Sequence, residues 1–266
     1  MAGEPSLRAV VTGASSGIGA AFARELGRRG EALVLVARRA ERLSEIAREI
    51  GGDVVTLPLD LSTPSGPGEL CSELEARGIA VDLLVNNAGV GLRGTVASEP
   101  RDRLLGIVDL NCRTVVDLTR RVLPGMIERR RGRIVNVVSM AAFQPVPYLA
   151  VYAASKAFAL SFTEGLEAEL KGTGIRVQAL CPGNIPTEFQ QVAGTQGSLY
   201  DRTPGMSAEA VARASLRALE RRGGRLIPRF MDRLTLATQA LTPRGVVVRV
   251  VAELFRPRGP SEGSHS

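Results

Sequence analysis

The stretch "LRAVVTGASSGIG", residues 7–19, decides the fold. An apolar run from Leu7 to Val11 has the length and branching of a buried strand. It breaks at Gly13, Gly17 and Gly19, and a helical pattern, "GAAFARELGRRG" (19–30), follows at once. Glycines spaced G-x3-G-x-G between strand and helix permit a tight turn and let backbone approach a pyrophosphate. They also aim a helix N-terminus at its negative charge. The opening residues therefore predict a dinucleotide cradle.

The same alternation continues outward from that turn. Apolar runs at 32–38, 53–61, 81–89, 132–139, 176–183 and "GRLIP" (224–228) read as strands. Helical patterns at 40–50, 66–77, 101–130, 149–171 and 207–222 separate them. Continuous Val/Ile/Leu strands parted by helices predict an α/β chain, a doubly wound parallel sheet with helices on both faces. Ligands of such sheets lie beyond the strands' C-terminal ends. No internal repeat or linker interrupts the series, which predicts one domain over 1–230, a helical extension over 231–258 and a disordered tail over 259–266.

Composition narrows the chemistry. The 266 residues carry a formal charge of +7 and one histidine, His265 in the final polar stretch. No histidine base and no histidine metal site can be built on the folded part, so no metal is expected and acid–base work falls to Tyr, Lys, Cys or carboxylates. Of 34 basic residues only Lys156 and Lys171 are lysine. The arginines are dispersed, and the one dense cluster, "ERRRGR" (128–133), has no interleaved aromatics. It reads as a solvated turn, and no nucleic-acid partner is expected. No apolar run approaches the roughly 18 residues of a membrane span. The start "MAGEPSLRAVV" shows no secretory pattern. Cys71, Cys112 and Cys181 are odd in number and read as buried reduced thiols in a cytoplasmic protein.

The end of the second strand selects the cofactor. NAD readers place an acid about twenty residues past the glycines, to hold the ribose hydroxyl. Here Ala37, Arg38 and Arg39 occupy that position. Guanidinium groups suit a 2′-phosphate, which predicts NADP(H).

In one order the chain carries "TGASSGIG" (12–19), "NNAG" (86–89), Asn111, Ser139, "YAASK" (152–156) and "PG" (182–183) followed by Thr187. This resembles the short-chain dehydrogenase/reductase family over about residues 7–230. The resemblance implies hydride exchange between nicotinamide and a carbonyl or alcohol, with Asn111, Ser139, Tyr152 and Lys156 as catalytic residues. Tyr152 is the implied acid–base group and Ser139 its partner on the substrate oxygen. Asn111 is implied to hold a relay water through its backbone carbonyl. Spacing of four puts Lys156 on the face of Tyr152, where an ammonium is expected to lower the phenol pKa. Cofactor contacts are implied from Gly13, Ser15, Ser16, Gly17, Ile18, Gly19, Arg38, Arg39, Asp60, Leu61, Asn87, Ala88 and Gly89. Tyr152, Lys156, Pro182, Gly183, Ile185 and Thr187 are expected to complete them.

The run "PGNIPTEF" departs from the family pattern at Asn184 and Pro186, and the polar stretch 188–206 falls where the family keeps a mobile lid. Phe143, Val146, Tyr148 and Phe189 are expected to face an apolar substrate pocket. The segment "RFMDRLTLATQALTPRGVVVRVVAELFRP" is the least family-typical, with an apolar stripe of Val246, Val247, Val250, Val251, Leu254 and Phe255. Docking on the body or a second subunit, covering a long acyl substrate, and lying on a membrane surface all fit it. The leading expectation is an NADP(H)-dependent reductase of a small-molecule carbonyl, with a lipid-like or β-ketoacyl substrate in view, working as a homodimer or homotetramer. The alternative is a non-catalytic NADP(H)-binding sensor or interaction protein on the same fold.

Overall fold

Strands rich in Val and Leu on both faces bury only if helices cover both sides of a sheet. The computed structural model, which describes residues 6–256, shows that arrangement. Strands β1 (Ser6–Thr12), β2 (Leu33–Ala37), β3 (Val54–Pro58), β4 (Ile79–Asn86), β5 (Gly132–Val137), β6 (Ile175–Leu180) and β7 (Gly224–Leu226) form one parallel sheet. Its order is β3-β2-β1-β4-β5-β6-β7. The chain reverses its direction of winding between β1 and β4, which opens a crevice at their C-terminal ends.

Alternate strand residues serve two cores. Val11, Leu35, Val85 and Val135 pack with α1 (Gly17–Arg28), α2 (Ala40–Ile50) and α8 (Ala208–Arg221) through Phe22, Leu26, Leu43 and Leu216. Val10, Val34, Leu84, Ile134 and Val177 pack with α3 (Gly66–Ala76), α5 (Thr114–Glu128) and α6 (Ala150–Glu169) through Leu70, Leu118, Met126 and Leu166. This is the doubly wound sheet the sequence predicts.

Three details differ from expectation. The helix predicted over 101–130 is α4 (Arg101–Val108), an i→i+5 segment Asp109–Arg113, and then α5. Only Cys181 is buried, while Cys71 and Cys112 are half-buried. The C-terminal stripe is split between two faces. In α10 (Arg244–Phe255), Val251 and Phe255 are buried and Val247 and Leu254 partly so, against Val146, Leu149 and Tyr152. Val246 and Val250 are exposed, and α9 (Phe230–Ala240) buries no residue at all. Two short elements, α7 (Glu188–Val192) and a 3₁₀ turn Tyr200–Arg202, fold the predicted lid region. The predicted tail 259–266 lies outside the described residues. No helix among the described residues is long and apolar enough to cross a membrane.

Candidate active site

The glycine turn is tight because its neighbours leave no room. Gly13 has φ +63°, and a Cβ there would lie 2.8 Å from the Asn87 amide and 2.9 Å from the Ala88 Cα. At Gly19 a Cβ would meet the Gly13 carbonyl oxygen at an impossible distance, so this glycine lets α1 pack down on the turn. The Thr12 hydroxyl, which sequence reading passed over, ties the two loops together. It donates to Val85 O at 3.1 Å and accepts from Asn87 N and Ala88 N, both at 3.0 Å. Asn87 Nδ2 in turn donates to Thr12 O at 2.9 Å.

Between these loops and the ends of β5 and β6 runs a cleft of about 410 Å³. Its lining includes every predicted site residue except Gly19 and Asn111. Gly19 packs helix against turn. Asn111 is 1% exposed, in the i→i+5 segment, with its side chain fixed from three directions. Its Oδ1 accepts from Val90 N at 3.0 Å, and its Nδ2 donates to Val90 O and Ser155 Oγ, both at 2.9 Å. Ser155 Oγ donates onward to Tyr152 O at 2.7 Å. The side chain of Asn111 thus braces the turn that carries Tyr152, and segments of this irregular kind recur at functional sites.

Ser139 ends β5, and its hydroxyl accepts from Ala141 N at 3.1 Å, keeping its own proton free to donate. Lys156 Nζ donates to Val137 O at 2.8 Å and lies 5.8 Å from the centre of the Tyr152 ring. Both side chains are buried. Burial pushes the Tyr152 phenol up to about 12, with Ser139 partly opposing, and the Lys156 ammonium down to about 8. The expected lowering of the Tyr152 pKa is therefore corrected: desolvation decides its sign, and Lys156 turns its ammonium to the Val137 carbonyl. Phenol and not phenolate is the resting form.

The lysine shift has a sign in stability. Between about 8 and the ordinary 10.5 the unfolded chain binds a proton at Lys156 that the folded chain does not. Stability from this group therefore rises with pH across that window. Lys156→Met is expected to stabilise at neutral pH, with an advantage that shrinks from pH 8 toward 10. Urea unfolding of both proteins across this range checks it, and a pH-independent difference would contradict it.

At the other end of the cleft Arg38 and Arg39 stand exposed at the end of β2. Arg39 reaches back to Ser15 Oγ at 3.1 Å and pairs with Glu188 of α7 at 2.9 Å. Arg42 meets the same carboxylate at 3.4 Å, and these two arginines hold it below the ordinary glutamate range. Arg38 has no acidic partner within ion-pair distance among the described residues. Asp60, which burial alone would raise, is held low by the Ser62 hydroxyl and amide at 2.6 and 2.9 Å and by Arg38 nearby. Arg38, without an acidic partner, and its neighbour Arg39 stand beside a glycine cradle and fit an adenosine dinucleotide carrying an extra phosphate.

The apolar end was only partly foreseen. Val146 and Phe189 line the cleft, Phe189 with its ring 5.3 Å from that of Tyr152. Phe143 instead lies under Arg225, 5.6 Å away, and Tyr148 packs behind the lining. Leu149, Val192, Tyr200 and Phe255 complete the wall, the last two rings 4.8 Å apart. Asn184, the departure noted in the sequence, pins the 3₁₀ turn through Thr203 O at 2.8 Å and accepts from Gln190 at 3.1 Å. A second hollow, of about 570 Å³, lies at the N-terminal ends of the strands. Its two acids are paired, Glu31 with Arg133 at 3.1 Å and Asp82 with Arg133 at 2.8 Å and Arg131 at 2.7 Å.

Comparison with known proteins places these features in context. The family model described as short chain dehydrogenase matches residues 8–197. The ketoacyl reductase HetN of Nostoc is 30% identical over 246 residues, covering 89% of this chain and 85% of that protein. The very-long-chain 3-oxoacyl-CoA reductase-B of Danio rerio is 35% identical over 190 residues, covering 69% of this chain and 61% of the relative. The chain thus spans about three fifths of the length of some curated relatives it matches. Among solved structures, a short-chain dehydrogenase from Sphingobium yanoikuyae in complex with NADPH superposes with a TM-score of 0.79 and 30% identity. That match covers 97% of this chain and 100% of the other.

Proposed function

Because the chain belongs to the short-chain dehydrogenase family, we propose that it is an NADP(H)-dependent oxidoreductase reducing a ketone on an extended apolar or β-ketoacyl skeleton to a secondary alcohol. The observation that carries this reading is the meeting of Ser139, Tyr152 and Lys156 on one cleft with the glycine turn and Arg38. The NADPH of the Sphingobium structure and the ketoacyl and 3-oxoacyl names of the two relatives support it.

Arg38 and Arg39 would hold the 2′-phosphate and the turn Gly13–Gly17 the pyrophosphate. Asp60, Leu61 and Asn87 to Gly89 would flank the adenosine, and Pro182, Gly183, Ile185 and Thr187 the nicotinamide side. Bound there, the cofactor supplies a hydride. Tyr152, protonated at neutral pH because burial raises its pKa to about 12, gives its proton to the carbonyl oxygen. The Ser139 hydroxyl donates to the same oxygen, where negative charge grows. Lys156, anchored on Val137 O, sets a positive charge beside the phenolate that remains. Asn111 positions rather than touches, through Ser155. Three unpaired thiols support a cytoplasmic setting. Exposed Leu105, Val108 and Phe158 on α4 and α6 support assembly of subunits through those helices.

The apolar wall makes chain length the test. NADPH oxidation with ketones and β-ketoacyl thioesters graded in length should show kcat/KM climbing as the chain grows. Each buried methylene contributes about 0.8 kcal/mol, or roughly fourfold. Phe255→Ala should flatten that slope while leaving short ketones unaffected. A slope absent in the wild type would remove the apolar substrate class.

A further inference from the structure

The cleft leaves one feature of the molecule unused, the outer face of the C-terminal helices. Phe230, Met231 and Leu234 of α9 are 71%, 50% and 45% exposed, Leu241 just beyond it is 89% exposed, and Val246 and Val250 of α10 are 46% and 56% exposed. Phe230 and Leu234 of α9 and Leu241 at its C-cap recur at helical spacing, and Val246 and Val250 do so on α10, so each helix bears an apolar stripe. Scattered exposed apolar residues are ordinary, but a run of six on two consecutive helices is not.

Charge tells what covers this face. From α9 to the end of α10, residues 230–256 hold four arginines against Asp232 and Glu253, a net +2, and both acids are already paired, Asp232 with Arg229 and Glu253 with Arg256. Arg233 lies one turn from Phe230 and Arg249 one turn from Val246, so the cations border the stripes directly. Arg233, Arg244 and Arg249 are exposed and have no acidic side chain within ion-pair distance among the described residues. A second copy docked here by two-fold symmetry would set this basic face against itself. Nucleic acid would meet the charge but leave the apolar side chains without a partner, since Phe230 alone could stack on a base. Only an anionic lipid surface satisfies both parts: apolar side chains enter the acyl boundary while arginines meet headgroup phosphates.

We propose that α9 and α10 dock the protein peripherally on anionic membranes. On the opposite side of α10, Phe255 lines the cleft and Val251 packs behind it, so docking face and apolar end of the cleft share one helix.

The test is flotation of the full chain with vesicles of phosphatidylcholine alone and of phosphatidylcholine mixed with phosphatidylglycerol. Binding to the mixed vesicles should be at least about tenfold tighter and weaken at high salt. Leu234→Asp with Leu241→Asp should abolish it, and Arg244→Gln with Arg249→Gln should lower it about tenfold. Both pairs should keep the wild-type melting temperature and NADPH affinity, which separates loss of docking from loss of fold. Absence of binding to mixed vesicles overturns the proposal, as does binding that survives the Asp pair. Dimerisation abolished by the Asp pair, with vesicles unable to compete, would assign the face to a second copy. Tight oligonucleotide binding unaffected by the Asp pair would assign the arginines to nucleic acid.

Discussion

Tyr152→Phe is expected to lower kcat for carbonyl reduction by about 10²–10⁴-fold, the range for a positioned proton donor, with NADPH affinity unchanged. The substitution removes one hydroxyl and leaves the ring where Phe189, Leu149 and Phe255 pack around it. It should therefore fold, and its melting temperature should match or exceed the wild type, because a buried hydroxyl costs desolvation. Steady-state turnover and NADPH fluorescence titration separate the two effects. Comparable losses of turnover and cofactor binding would mean that the phenol organises the cleft instead of donating a proton. A variant that kept full turnover would move the acid elsewhere.

Arg38→Asp should weaken NADPH by about 10²-fold and leave NADH nearly as in the wild type. A charge-assisted hydrogen bond contributes about 1.5–3 kcal/mol, and reversal of the charge adds repulsion to that loss. Arg38 is the sharper site because Arg39 is already engaged by Ser15 and Glu188. That engagement yields a companion result of opposite sign. Glu188 places a carboxylate beside the guanidinium of Arg39, so Glu188→Gln should tighten NADPH by about twofold to fivefold, the scale of an exposed ion pair. Titration of both cofactors against the three proteins gives the comparison. Equal losses for NADPH and NADH in Arg38→Asp would remove the argument for the phosphorylated cofactor.

Much of this was legible from the sequence, because local signals were strong where they mattered. Apolar strands such as "ALVLVAR" (32–38) need helices on both faces, and "TGASSGIG" needs a strand before it and a helix after. The parallel pairing of the strands follows from those two facts, whereas their order is seen only in the structure. What escaped depends on contacts between residues distant in sequence. The i→i+5 segment around Asn111 has no proline or glycine to announce it, and its side chain is held by Val90 and Ser155 from other elements. Tyr200 and Phe255 enter the cleft wall through tertiary packing that no motif encodes. Glu188 stood in plain view in "PGNIPTEF", yet its partners are Arg39 and Arg42, about 150 residues away. The Tyr152 shift was misjudged for a different reason. Spacing shows that Lys156 shares its face, but burial and the pull of Val137 O on the ammonium become visible only in three dimensions.

The most direct test of the central claim is isotope transfer from NADPH deuterated at nicotinamide C4 to a long-chain ketone. The proposed chemistry predicts one deuterium on the carbinol carbon of the alcohol from one face of the cofactor, with the hydroxyl proton drawn from solvent through Tyr152. NADPH that binds tightly while no carbonyl acquires label would contradict it, and would leave the chain as a cofactor-binding sensor on this fold.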